Sequence, residues 1–202
     1  MNATPFDPAR VVPIPLHEGS ANSTQPPPSE DIWTAVDASH LMTSVDAAST
    51  PSELRARFPK GFHARPAVCG ITTFVHCWLS SGGRHVDTTF AFDEPDRLTL
   101  ISSEFDCASK QIAEAALAQA SLALRRTVPG LHVHHPKIVN ANRRRPASAT
   151  VSWRFGRHEA ITIEARQGSV GARFWTLTLR RTFKQPDALA HCRRSSLDRL
   201  FT

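Results

Sequence analysis

Tyrosine is absent from this 202-residue chain, cysteine occurs four times and glycine nine times. No mechanism attaches to the missing tyrosines. The cysteines, Cys69, Cys77, Cys107 and Cys192, include no CxxC pair and no spacing of the kind that ligates zinc. They read as buried free thiols in a reducing compartment. No apolar run approaches the roughly 18 residues of a membrane span, and the N-terminus lacks the basic and apolar regions of a secretory leader. A cytoplasmic protein with no membrane partner is therefore expected. Catalytic signatures are missing too: there is no Gly-x-Ser-x-Gly elbow, no His-Glu-x-x-His pair and no Gly-rich phosphate loop. The adjacent carboxylates Asp93 and Glu94 fall in a turn sequence. The expectation is a non-enzymatic protein with no cofactor and no metal.

What the chain does have is positive charge, unevenly placed. Residues 1–52 hold 1 basic against 6 acidic residues, residues 53–126 hold 9 against 8, and residues 127–202 hold 14 against 4. The net charge of +6 thus belongs to the last third. A basic field of that density attracts nucleic acid or an acidic partner.

Four segments follow from composition and periodicity. Residues 1–49 are rich in Pro, Ser and Thr, offer little apolar surface, and read as a largely disordered tail, with a short helix a possibility at Ile32 to Val45. Residues 50–127 form an α+β module. It starts at Thr50-Pro51-Ser52-Glu53, which combines a capping hydroxyl, a first-turn proline and an acidic residue at the positive end of the helix dipole. From Ile71 the period becomes two. Val86, Thr88, Phe90 and Phe92 share one strand face, and Leu98 and Leu100 continue an inward face after the Asp93 to Asp96 reversal. Asp106 or Ser109 caps a helix running to about Arg126, with a stripe of Ala113, Ala116, Leu117, Ala120 and Leu124. Residues 128–147 are a His- and Arg-rich connector. Residues 148–202 read as a second basic α+β module of three strands and a helix from about Pro186. Gly-Arg-His recurs beside a hairpin in each half, so the second module is either a diverged copy of the first or shares the tripeptide by chance.

Residues 51–126 resemble a double-stranded RNA-binding domain (dsRBD) in their order of short helix, three-stranded meander and long helix. The loop Gly82-Gly83-Arg84-His85, with Phe90 following, is similar to that family's Gly-Pro-x-His loop and its aromatic residue in the next strand. Ser109-Lys110-Gln111-Ile112-Ala113-Glu114, followed by Ala115-Ala116, is similar to its Ser-Lys-Lys-x-Ala-Lys helix start. Gly83, Gln111 and Glu114 depart from the pattern at the loop proline and at two of three basic positions. The resemblance implies an α-β-β-β-α module followed by β-β-β-α, binding A-form RNA by shape without sequence readout. It implies that Glu53 and His85 meet minor grooves and Lys110 meets phosphate.

The nucleic-acid-binding candidates are therefore Glu53, Arg84, His85, Ser109, Lys110, Arg143, Arg144 and Arg145. Lys110 and His85 read equally well as a solvated helix-start lysine and an ordinary loop histidine. Arg143-Arg144-Arg145 is either a contact or a solvated linker run; contact is the preferred reading because Arg180, Arg181, Lys184, Arg193 and Arg194 extend the same sign. His132 and His134 share a strand face but lack an evident third ligand, so zinc is not expected. Trp153 and Trp175 fall on inward positions and read as core. The expected partner is double-stranded RNA, with sequestration one use of such binding; the other reading is a homodimer or protein-interaction module on a degenerate domain of the same fold.

Overall fold

The computed structural model describes residues 29–68, 71–93, 96–128, 132–140, 146–155, 159–169 and 172–183. Among them are three helices, α1 (Glu30–Ser44), α2 (Pro51–Arg57) and α3 (Lys110–Thr127), and eight strands. The strands are β1 (Phe62–Val68), β2 (Ile71–Leu79), β3 (His85–Asp93), β4 (Arg97–Cys107), β5 (His132–Val139), β6 (Ser148–Phe155), β7 (Glu159–Gln167) and β8 (Trp175–Thr182). All eight form one antiparallel sheet in the order β1-β2-β3-β4-β8-β7-β6-β5. The fold is α+β.

The helices form where the local signals place them. Thr50 Oγ1 accepts from the Glu53 amide at 3.3 Å while Glu53 Oε2 accepts from the Thr50 amide at 2.9 Å, a reciprocal capping box. Ser109 caps α3 by accepting from the Ile112 amide at 3.3 Å. The alanine stripe of α3 lets it approach α1 closely: Ala113, Ala116 and Ala120 are fully buried, as are Ala35 and Ala38 of α1, and Ser39 Oγ donates to the Ala120 carbonyl at 3.5 Å. Both helices lie over one face of the sheet, where Phe90, Ile101, Trp153, Ile161, Ile163, Leu177 and Leu179 complete the core. Trp153 and Trp175 are buried on that face.

Long-range pairing departs from the sequence expectation. The residues assigned to two modules share one sheet, because β4 and β8 pair along their length from Leu100↔Thr182 to Cys107↔Trp175. The meander has a fourth strand, β1, and the expected connector contains β5. Both of these outer strands carry a mid-strand proline, Pro66 and Pro136, at a register break. Proline argues against an interior strand and is tolerated at an edge, which is why neither run reads as a strand from sequence. The short helix read at Ile32 to Val45 within the expected tail is present as α1, which spans Glu30–Ser44 and buries Ile32, Ala35, Ala38 and Met42. The first 28 residues, and the helix expected from Pro186, lie outside the described residues.

The resulting architecture repeats. α1 followed by β1–β4 corresponds to α3 followed by β5–β8, with the last strand of each half meeting at the centre of the sheet. In the first half Phe90 of β3 pairs with Ile101 of β4, in the second Ile163 of β7 pairs with Leu179 of β8, and at the centre Ile101 and Ser103 pair with Arg181 and Leu179. Gly83-Arg84-His85 leads from β2 into β3, and Gly156-Arg157-His158, outside the described residues, joins the equivalent β6 and β7 in the chain.

Candidate nucleic-acid interface

The turn between β2 and β3, the end of β4 and the start of α3 lie at the same end of the sheet, since Leu79 pairs with His85 and Asp87 with Glu104. Arg84 and Lys110 are thus brought to one end. Within the fold, most of the predicted contact residues have local tasks. Glu53 closes the α2 capping box and Ser109 caps α3. Arg84 Nη1 donates to the Asp31 carboxylate and to the Asp106 carbonyl, tying the turn to α1 and β4. Lys110 Nζ lies 3.5 Å from Glu114 Oε1, one turn along α3. His85 is exposed. Arg143, Arg144 and Arg145 lie outside the described residues, in the chain between Val139 and Ser148, which are at this same end of the sheet.

The two halves differ in charge on the helix-free face. On the first half a cleft of about 240 Å³ is lined by Arg65, Asp87, Thr89, Ser102, Glu104 and Asp106, with the carboxylates in excess. The hydrogen bond to Asp87, reinforced by partial burial, raises the Cys77 thiol above its usual range. On the second half the register lines up Ser148, Arg166 and Thr176 in one cross-strand row, and Lys137, Thr150, Glu164 and Thr178 in the next. Ser152, Thr162 and Arg180 make a third row, and Arg154, Ala160 and Thr182 a fourth. Lys137, Arg154, Arg166 and Arg180 are all exposed. Glu164 is the one carboxylate among the described residues of these four strands on this face. Two-residue alternation with buried Trp153, Ile163, Ala165, Leu177 and Leu179 puts these polar side chains together.

Arg181 shares its charge with Arg180, but adjacent strand residues face opposite ways. Arg181 points into the helix layer, where Nη1 donates to the Met42 and Val45 carbonyls at 2.7 and 2.9 Å and Nε donates to Glu159 at 2.5 Å. Arg154 and Arg166 were not singled out, although their alternation with Trp153 and Ala165 carries the signal.

A second concavity, about 360 Å³, lies between α1 and the end of β2, lined by Asp37, His40, Leu41, Ser44, His76, Trp78 and Leu79. Burial lowers the His76 pKa, against smaller opposing effects of a bond to the Lys60 backbone and of Asp87, and its ring stacks on Phe58 at 4.3 Å. No cluster of three or more metal-ligating side chains occurs among the described residues. No helix among them is long and apolar enough to cross a membrane. In comparisons with known proteins, the chain matches no family model, no curated protein and no solved structure.

Proposed function

We propose that this protein is a non-enzymatic binder of double-stranded RNA that engages the A-form backbone without reading sequence. The observation that carries the proposal is the array of Lys137, Arg154, Arg166 and Arg180 among serine and threonine hydroxyls on the helix-free face of β5–β8. Guanidinium, ammonium and hydroxyl groups are donors suited to phosphate and ribose. Trp153 and Trp175 are buried on the other face, so they offer no platform for stacking unpaired bases, which favours a duplex over a single strand. The order α2, β2, β3, β4, α3 is also the order implied by the dsRBD resemblance, with Arg84 and Lys110 at one end; α1 and β1 are additions to it. Cytoplasmic residence goes with this reading, as Cys77 and Cys107 are free thiols.

An electrophoretic shift series on a short RNA duplex at rising salt tests it. If each of the four cations meets a phosphate, log K should fall with log salt at a slope on the order of −3 to −4. Arg154→Glu and Arg166→Glu should weaken binding of every duplex sequence alike. Salt-independent binding, or preference for B-form DNA, refutes the proposal.

A second reading, a protein-interaction or dimerisation module, is favoured by the commitment of Glu53, Arg84 and Ser109 to contacts within the fold. A homodimer in light scattering that is indifferent to RNase supports it over the first.

A further inference from the structure

The lone carboxylate of the basic face is misplaced for phosphate binding. Glu164 sits mid-strand on β7, in register with Thr150 on one side and Thr178 on the other. The Thr178 hydroxyl donates to Glu104 Oε2 at 3.2 Å, and among the described residues no hydrogen bond or ion pair reaches Glu164. It is half-buried. Arg166 lies two residues along the same strand face, about 7 Å away. Arg180 is one strand over beside Thr162, Arg154 is on the opposite neighbouring strand beside Ala160, and Lys137 is beyond Thr150. An unpaired carboxylate thus has Arg166, Arg180 and Lys137 nearest it among the cations of its own face, with Arg154 four residues' length away and Glu104 beyond Thr178 in the same row.

An ionised carboxylate only accepts hydrogen bonds, and so does a phosphodiester. Glu164 cannot bond the phosphates its neighbours attract, and repels them. A ribose 2′-hydroxyl is different: it donates, and it lies on the same strand as the phosphates. Resting on the proposed function, we infer that Glu164 is a specificity-determining residue that accepts a hydrogen bond from a ribose 2′-hydroxyl while the surrounding cations hold phosphates. DNA presents a C–H there, leaving the carboxylate desolvated and without a donor, so the same residue that favours RNA disfavours DNA.

The test compares three duplexes of one sequence, RNA, 2′-fluoro RNA (A-form, but without the donor) and DNA, by fluorescence anisotropy at fixed salt. The proteins are the full chain, Glu164→Ala and Glu164→Gln, each checked for folding by circular dichroism. The unaltered chain should bind RNA about tenfold more tightly than 2′-fluoro RNA, as for loss of a hydrogen bond to a charged group. In Glu164→Ala the ratio should fall to within about twofold, mainly through tighter binding of the 2′-fluoro and DNA duplexes; Glu164→Gln, which keeps an acceptor without charge, should fall between. A ratio unchanged in Glu164→Ala, or RNA and 2′-fluoro RNA bound equally by the unaltered chain, overturns the inference and leaves the RNA reading standing. Failure to bind any duplex overturns the RNA reading, and the inference with it.

Discussion

Replacing Arg181 by methionine should destabilise the protein by about 3 kcal/mol, whereas the same change at Arg180 should cost under about 1 kcal/mol. The asymmetry follows from the strand period. Arg181 is 15% exposed at its side chain and pairs with Glu159, 27% exposed, while also donating to the Met42 and Val45 carbonyls at the end of α1. α1 has no basic residue in its own last turn. Arg181 therefore supplies donors to two of the carbonyls at this end, beside Arg57 Nη1, which donates to the Ser44 carbonyl at 2.7 Å, and adds positive charge where the helix dipole favours it. Methionine fills similar space, but leaves Glu159 without a counter-charge and two carbonyls without this donor. Removing one partner of a buried pair typically costs about 3–5 kcal/mol, and the partial exposure of Glu159 argues for the lower end. At about 2 kcal/mol per molar of urea, the unfolding midpoint should fall by about 1.5 M; the thermal midpoint should fall by roughly 6–12 °C. A double-mutant cycle with Glu159→Gln separates the ion pair from the helix contacts. A loss below about 1 kcal/mol for Arg181→Met, or equal losses at both arginines, would refute the assignment of these residues to opposite faces.

Three further outcomes are expected. Burial holds His76 below the ordinary histidine value of 6.5, so the unfolded chain binds that proton more readily. Stability should be full above pH 6.5 and decline as the pH falls through the window between 6.5 and the lower folded value, and His76→Phe should remove that part of the decline in urea titrations. Gly82→Ala should destabilise by about 2 kcal/mol or more, because the new Cβ would stand 2.6 Å from the Glu30 carbonyl oxygen and 2.8 Å from its Cα; calorimetry reads the shift, and an unchanged midpoint would show that α1 does not clasp this turn. In peptide-resolved alkylation at pH 8, exposed Cys77 should react before Cys107, whose thiol burial pushes up to about 12; Asp87→Asn should quicken Cys77, and early labelling of Cys107 would contradict its burial.

What was legible in the sequence was whatever is decided locally. The Thr50 capping box, the Ser109 cap and the alternation of Val86, Thr88, Phe90 and Phe92 each fix their element within a few residues. β1 and β5 were hidden by Pro66 and Pro136, whose cost disappears only at an edge, a fact of topology. α1 was understated because its inward face uses Ala35, Ala38 and Ser39 to pack against the alanines of α3, so the partner rather than the periodicity defines it. The candidate site suffered from the same limit. Thr50-x-x-Glu53 and Ser109 have a sufficient explanation as caps, and Arg84 meets Asp31 from 53 positions earlier in the chain. The Arg154, Arg166 and Arg180 grouping exists only once β6, β7 and β8 are in register.

The repeat explains why total charge says so little about this molecule. Each half places its buried apolar residues on the helix side, and among the described residues the central β4–β8 pairing leaves β1 and β5 as the edges of the sheet. Each of those has a proline and a register break, features that discourage an added strand. For the RNA partner proposed above, this leaves the helix-free face as the docking surface. There the two equivalent halves have diverged, with Asp87, Glu104 and Asp106 on β3–β4 facing the same solvent as Lys137, Arg154, Arg166 and Arg180 on β5–β8. A polyanion lying across the whole face would meet repulsion over the first half, so the predicted footprint is confined to the second. Neutralising Asp87 and Glu104 together should then extend the footprint and steepen the salt dependence of RNA binding, read from the same shift series. A slope and affinity unmoved by that double change would mean that the ligand does not lie on this face.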